Sequence, residues 1–252
     1  MVCTERELNI LKILSDTASV DVKSLTRMLY ASESRVRRDL RKLEQKGLII
    51  RTHGKAVSIN VYADKNVGFD LREQLLSPVK KNLAKYAVDL FVSSGSVVML
   101  DASSTAMCSV EYLSGKKEVI VITSGLKTLL LLCQTDLKFF STGGMAINKS
   151  SSFVGQTAIA TASSFNADVA LVSCHGLNED GFATDTSLPE NELRLAMLKR
   201  AKRKVLLIDS SKINNGCWTN LCHISYFDDV VCDQPLPDHI MESVQNFHLV
   251  KP

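Results

Sequence analysis

The chain has 252 residues, 45% of them hydrophobic and 23% charged: ordinary values for a soluble globular protein, too long for one small domain and ample for a small domain plus a larger one. No run reaches 18 apolar residues and the first residues lack a signal-peptide pattern, so neither a membrane span nor export is expected. The net charge is +3, and the seven cysteines, an odd number scattered mostly within apolar runs, suit reduced thiols in a cytoplasm rather than a disulfide scaffold.

The charge is unevenly divided. Residues 1–62 hold 12 Lys and Arg against 7 Asp and Glu, a balance of +5, which leaves 18 against 20, or −2, for the remainder. A basic head on a mildly acidic body points to a polyanion partner for the head alone. Residues 4–15 read as a helix with Thr4 as a cap, Glu5 and Glu7 in the first turn, and Leu8, Leu11, Ile13 and Leu14 facing inward. Residues 16–20 read as a connector, and Asp21 can cap a second helix bearing Val22, Leu25, Met28 and Leu29. Tyr30 and Ala31 then turn the chain into a third helix, capped by Ser32 and ending before Gly47. On that helix Val36, Leu40 and Leu43 form a narrow apolar stripe, while Arg35, Arg37, Arg38, Arg41 and Lys42 crowd the rest. Alone it suits a solvated amphipathic helix as well as a major-groove reader. The two short β segments that follow, around His53 and Gly54, complete a winged helix-turn-helix and favour DNA. The candidate DNA-binding residues are Ser32, Ser34, Arg35, Arg37 and Arg38 on the helix. Arg51, His53 and Lys55 would stand on the wing.

Residues 5–56 resemble the N-terminal domain of the DeoR family of bacterial transcriptional regulators. The resemblance lies in Ala31-Ser32, Val36-Arg37-Arg38-Asp39-Leu40, Leu43-Glu44, Gly47-Leu48-Ile49, Arg51-Thr52-His53-Gly54 and Ala56. Arg35 replaces the family's usual threonine, a change that bears on the bases read. Lys55 replaces a second glycine and adds a cation to the wing.

A composition break follows, with a helical connector expected at about 67–76. The division is residues 1–62 as DNA-binding domain, 63–77 as linker and 78–252 as sensing domain. Beyond it the pattern alternates. Val79–Val92 is amphipathic at helical period; the run 97–100 is a strand ending at Asp101, with a helix through about Leu113; 119–123 and 137–141 are further strands around a helix to about Cys133. Gly155–Phe165 reads as a helix, 168–173 as a strand, Pro189–Lys202 as a helix with Pro at its start and cations in its last turn, and 205–208 and 229–233 as the closing strands. Continuous apolar strands between helices indicate an α/β body with a mostly parallel sheet covered on both faces.

In such a sheet, ligands bind beyond the carboxyl ends of the strands. Small polar residues gather there: Asp101 to Thr105, Thr123 to Gly125, Thr142 to Gly144, and Asp209 to Lys212. Hydroxyls, backbone N–H groups and one lysine suit a phosphate and sugar hydroxyls. Residues 77–234 resemble the sensor half of the same family, whose fold is shared with sugar-phosphate isomerases and deaminases. The matching pieces include Leu100-Asp101-Ala102, Thr123-Ser124, Gly143-Gly144, Val154-Gly155, His175-Gly176, Glu190 and Asp209-Ser210-Ser211-Lys212. That resemblance implies a phosphorylated sugar or related metabolite as effector, and candidate effector residues Asp101, Ser103, Ser104, Thr105, Ser124, Gly143, Gly144, His175, Gly176, Glu190, Asp209 and Lys212. Ser103 stands where a glycine is usual and is expected to narrow the loop through its β-carbon. Arg194 stands where lysine is common.

The expected function is a transcription regulator, a repressor of sugar-metabolism genes. It would bind a double-stranded operator as a homo-oligomer, dimer or tetramer, because one winged module reads few base pairs. The alternative is a sugar-phosphate isomerase or deaminase with an appended nucleic-acid module, using Asp101, Glu190 and Lys212 as acid and base groups. A general RNA- or chromatin-binding protein would need a basic surface over more of the chain. No cofactor, metal or membrane partner is expected; Cys217, Cys222, His223 and Cys232 match no common zinc spacing.

Overall fold

The computed structural model describes residues 4–17, 19–45, 49–52, 54–58, 69–74 and 76–251. Gly47 and His53, expected as a helix stop and a wing residue, lie outside them, as do residues 59–68, where the boundary at 62 was expected. The chain divides into two compact units: residues 1–67 with 74–76, and residues 68–73 with 77–252.

The smaller unit has the order α1 (Glu5–Thr17), β1 (Ser19–Asp21), α2 (Val22–Met28), α3 (Glu33–Gln45), β2 (Ile49–Thr52), β3 (Lys55–Ser58). Asp21 accepts from the Ser24 N–H at 2.8 Å and starts α2. Tyr30 takes a positive φ of 48° and turns the chain toward α3. Ile10 and Leu14 of α1, Leu25 of α2, and Val36, Leu40 and Leu43 of α3 form one buried core with Val20, Ile49 and Ala56. Ser19 and Val20, read from sequence as connector, form β1 together with the helix cap Asp21; β1 pairs antiparallel with β3 and makes the wing three-stranded. Three residues are too few to display a period of two, and only the pairing creates the strand.

The larger unit is built on seven parallel strands in the order β15-β14-β12-β9-β4-β5-β6: Phe247–Leu249, Asp229–Cys232, Ala201–Ile208, Ala167–Val172, Val97–Leu100, Ile120–Thr123 and Lys138–Ser141. Each interior strand buries both faces. Val98 and Leu100, Val169 and Leu171, and Val205 and Leu207 face α5 (Ser77–Phe91) and α7 (Ser109–Leu113). Met99, Ala170, Val172, Leu206 and Ile208 face α9 (Gln156–Ser163) and α10 (Leu188–Arg200). Winding runs outward from β4 through β5 to β6, then returns to β9 on β4's other side. The direction therefore reverses between β4 and β9, the position where such sheets form their crevice.

Three sequence expectations are corrected, and two small sheets add to the reading. The helix expected to reach Lys202 stops at Arg200, and β12 begins at Ala201 without a loop. Lys202 reads from sequence as part of a cationic last turn, yet Lys202, Arg203 and Lys204 each meet an acidic residue, Asp168, Asp229 and Asp228 respectively. The series does not close at residue 233, because β15 adds a further parallel edge strand. The helix expected through Leu113 is broken at Cys108 into α6 (Ser104–Met107) and α7. Finally, β10 (Gly176–Leu177), β11 (Phe182–Asp185) and β13 (Thr219–His223) form a separate antiparallel sheet, and β7 (Met145–Ile147) pairs with β8 (Ser152–Val154). These strands are short and lack alternation, so nothing in the sequence marked them.

Candidate functional site

In the smaller unit the buried stripe of α3 turns its cations outward. Arg35, Arg37, Arg38, Arg41 and Lys42 are all exposed. Arg37 is held by Glu33 one turn earlier at 2.6 Å, whereas Arg35, Arg38, Arg41 and Lys42 have no acidic partner among the described residues. Ser32 accepts the Arg35 and Val36 N–H groups through its carbonyl, both at 3.0 Å, while its hydroxyl lies 3.2 Å from that of Ser34. Buried Asp39 pairs with Arg6 of α1 and pins α3 from its rear edge. On the wing, Lys55 is exposed, but Arg51 is drawn back to Glu44 at 3.4 Å.

In the larger unit the parallel register brings the loops after β4, β5, β6, β9 and β12 to one edge of the sheet. Asp101 sits at the point of reversal, 2% exposed. Its Oδ1 accepts from the Ser103 N–H (3.2 Å) and hydroxyl (2.5 Å); its Oδ2 accepts from the Ser173 N–H (3.3 Å) and Arg194 Nε (2.7 Å). With four donors on two oxygens, Asp101 organises the loop. Arg194 also reaches Asp185 Oδ2 at 3.2 Å and Asn191 Oδ1 at 2.8 Å. His175 Nδ1 lies 3.1 Å from the other Asp185 oxygen. Burial would push Asp185 upward, but the His175 hydrogen bond and the charges of Arg194 and His175 outweigh it and hold the carboxyl well below the usual range.

Ser103 has φ −79° and caps α6, its hydroxyl accepting the Ala106 N–H at 3.0 Å. This corrects the expectation of a narrowed loop: the conformation suits any L-residue, and the side chain supplies a cap. Ser104 accepts from Lys80 Nζ at 3.1 Å and donates to the Arg72 carbonyl at 3.3 Å. Thr105 is buried with a hydroxyl that has no partner. Lys212 donates to the Ser173 hydroxyl at 2.7 Å and stands 3.7 Å from buried Asp209. Glu190 accepts from the Ser152 hydroxyl. Buried Ser124 lends its carbonyl to the Phe153 N–H at 2.8 Å.

Hydrogen bonds thus join Asp101, Ser103, Arg194, Asp185 and His175 in one network, with Ser173 linking it to Lys212 and Asp209. The glycines are accounted for differently. Gly144, at φ +106°, lies where a β-carbon would stand 2.5 Å from the Val154 carbonyl; at Gly176 one would stand 1.5 Å from that of Asn215. Both permit close backbone approach, and Gly143 bonds Ser141 and Thr142 of its own loop. Sequence reasoning missed Arg72, Lys80, Asp185 and Asn191. Arg72 sat in a presumed connector and Asp185 ends an unrecognised strand; the only usable signal was a lone lysine inside the apolar period of α5. Among the described residues no group of His, Cys, Asp and Glu is arranged to hold a metal.

Residues 6–61 match the DeoR-like helix-turn-helix domain, and residues 77–234 the DeoR C terminal sensor domain. Over 247 residues the chain is 28% identical to the uncharacterized HTH-type transcriptional regulator YulB of Bacillus subtilis, covering 98% of this chain and 95% of that one. It is 29% identical over 237 residues to the L-fucose operon activator of Haemophilus influenzae, with 94% of each chain covered. It is 22% identical over 247 residues to the glycerol-3-phosphate regulon repressor of Escherichia coli, covering 98% and 97%.

Proposed function

The chain belongs to the DeoR family of DNA-binding transcriptional regulators, and from that premise we propose that it is a repressor of sugar-metabolism genes whose grip on its operator is set by a phosphorylated sugar or related metabolite. It is a regulator and not a metabolic enzyme: its relatives are named as regulators along nearly their whole length. No described helix is long and apolar enough to cross a membrane. The cytoplasm suits the six free cysteines among the described residues.

One observation carries the DNA reading: Arg35, Arg38, Arg41 and Lys42 stand exposed, with no acidic partner among the described residues, on a helix whose opposite edge is fully buried. Cations without an acidic partner on a rigid support break no ion pair when they turn to a nucleic acid. Arg35 and Arg38 read base edges, Ser32, Ser34 and Arg37 share bases and phosphates, and Arg51, His53 and Lys55 meet the backbone from the wing. The effector lies at the point of sheet reversal, where Lys212, Thr105, Ser124, Glu190 and Asp209 surround it. Partition into residues 1–62, 63–77 and 78–252, with homo-oligomers on paired half-sites, gives the needed affinity.

The test is selection of duplexes from a random library by the full chain, repeated with Arg35→Ala and Arg38→Ala. Each substitution is expected to cost ~1–3 kcal/mol and relax one position of the selected sequence. Sugar phosphates are expected to change the affinity for the selected duplex ~5–150-fold, release marking a repressor. Unchanged affinity and sequence preference in both variants would overturn the assignment of the reading helix.

A further inference from the structure

A short helix, α4 (Phe69–Gln74), carries the first residues of the larger unit. Its backbone is anchored there. Phe69 is 3% exposed and its N–H donates to the Lys149 carbonyl at 3.0 Å. The Arg72 carbonyl accepts from both Lys80 Nζ and the Ser104 hydroxyl. This fixes where the Arg72 side chain begins, and that side chain is largely buried, with Cζ 5.5 Å from the Phe69 ring. Its Nε is shut off from solvent and has no acceptor, and no carboxylate comes within ion-pairing distance among the described residues.

A guanidinium cannot shed its charge, so a buried one without a partner requires something to supply it. The surroundings identify what is missing. Glu190, Asp185 and Asp101 are near enough to act on its charge, but Asp101 and Asp185 are engaged by Arg194, which repels Arg72. Asn191, 1% exposed and one turn from Arg194, also holds an Nδ2 without an acceptor. Lys80, likewise buried, donates only to a carbonyl and a hydroxyl. Two buried donors, Arg72 Nε and Asn191 Nδ2, thus lack acceptors among the described residues, and Lys80 is paired with neutral groups alone. A tetrahedral dianion such as a phosphate monoester has acceptor oxygens to spare and matches a planar fork.

We propose that Arg72 is a direct ligand of the anionic group of the effector, which it binds through the guanidinium edge that no protein acceptor occupies. The proposal rests on the effector site assigned above and adds its consequence for regulation. Arg72 lies in the stretch of chain that leads from the wing strand into the sensor, so an occupied site acts on the covalent connection between the two units. A ligand shifts a conformational equilibrium only through contacts that differ between states, and a contact to α4 is of that kind.

The experiment measures melting and direct binding on the full chain with glycerol 3-phosphate, ribose 5-phosphate, fructose 1-phosphate, fructose 6-phosphate, inorganic phosphate and sulfate at matched ionic strength. Wild type is compared with Arg72→Met, Arg72→Lys and, as a control for surface charge, Lys116→Met. Without ligand, Arg72→Met is expected to melt at or above wild type, because a buried donor without an acceptor is gone while the carbonyl bonded by Lys80 and Ser104 stays. For whichever probe binds wild type, its dissociation constant is expected to rise at least about tenfold, the loss typical of a charge-assisted hydrogen bond, with Arg72→Lys between and Lys116→Met unchanged. Inorganic phosphate binding as tightly as any ester, with the same Arg72 dependence, would support the contact and name the free ion as ligand. Equal binding by wild type and Arg72→Met would overturn the role of Arg72 and leave the effector site standing. So would a ligand-free Arg72→Met that melts well below wild type, which would make the arginine a structural prop. If no phosphorylated probe binds wild type, the effector assignment itself falls, and this inference with it.

Discussion

Replacing Arg194 by methionine keeps the apolar stem and removes the charged fork that ties α10 to the point of sheet reversal. The side chain is 6% exposed and makes three bonds, to Asp101 at 2.7 Å, Asp185 at 3.2 Å and Asn191 at 2.8 Å. Its loss strands two carboxylates, each 3% exposed. Deleting one partner of a buried ion pair costs ~3–5 kcal/mol. Asp101 keeps the Ser103 and Ser173 donors, and Asp185 keeps His175 and the Thr186 N–H, which places the cost toward ~3–4 kcal/mol on that scale. For a domain of this size that is a fall of roughly 6–16 °C in the melting temperature. Calorimetry of the full chain is the suitable assay, because the two units can melt separately. Arg194→Lys should lose less, since an ammonium keeps the charge but meets one carboxylate at a time. The sign of the pH dependence is a further check. Asp185 is held below the usual carboxylate range in the fold, so the stability it contributes is present above its unfolded pKa and lost as pH falls. Acid that neutralises the stranded carboxylates of Arg194→Met must therefore narrow its gap to wild type. A fall of less than ~3 °C at neutral pH (about 1 kcal/mol at this size), or a gap constant down to the carboxylate range, would refute this account of the network.

Burial pulls Lys80 down to about 8 against the pull of Asp209. Between that value and its ordinary one the unfolded chain holds a proton the fold has released, so wild type should gain stability relative to Lys80→Met as pH rises through this window. The gain is on the order of 3 kcal/mol, read from paired urea melts; a flat difference would contradict it. Ser103→Ala, which removes the cap of α6, should destabilise by ~1 kcal/mol or more, and Ser103→Gly by less; the reverse order in chemical denaturation would count against the cap. Gly176→Ala drives a β-carbon into the Asn215 carbonyl. It should cost ~1–3 kcal/mol or more, visible as lower soluble yield and earlier melting, and a neutral outcome would show that the 213–216 segment can yield.

Periodicity and charge carried the reading of the head a long way. The stripe Val36, Leu40 and Leu43 and the surrounding cations are local patterns that state which edge is buried and what the other edge offers, and the same holds for the apolar runs of the parallel sheet. Short elements were not legible: β1, β7, β8 and β10 have too few residues to show a period, and the helix reads on to Lys202 because the acidic partner of that residue, Asp168, lies on a neighbouring strand. Gly144 and Gly176 looked like ligand-loop glycines, yet their geometry is one of close backbone approach, which composition cannot distinguish.

The amino-acid order by itself determined a basic winged head, an α/β body, and polar loops following the strands, because each depends on residues a few positions apart. Only the tertiary structure decided which of those polar groups are free. Asp101 is saturated by Arg194, 93 positions away, Ser103 is spent on a cap, and Arg72, from a stretch that read as linker, is left without an acceptor. Whether a buried charge has a partner is a matter of distance in space, and folding sets that distance through contacts that no local pattern records.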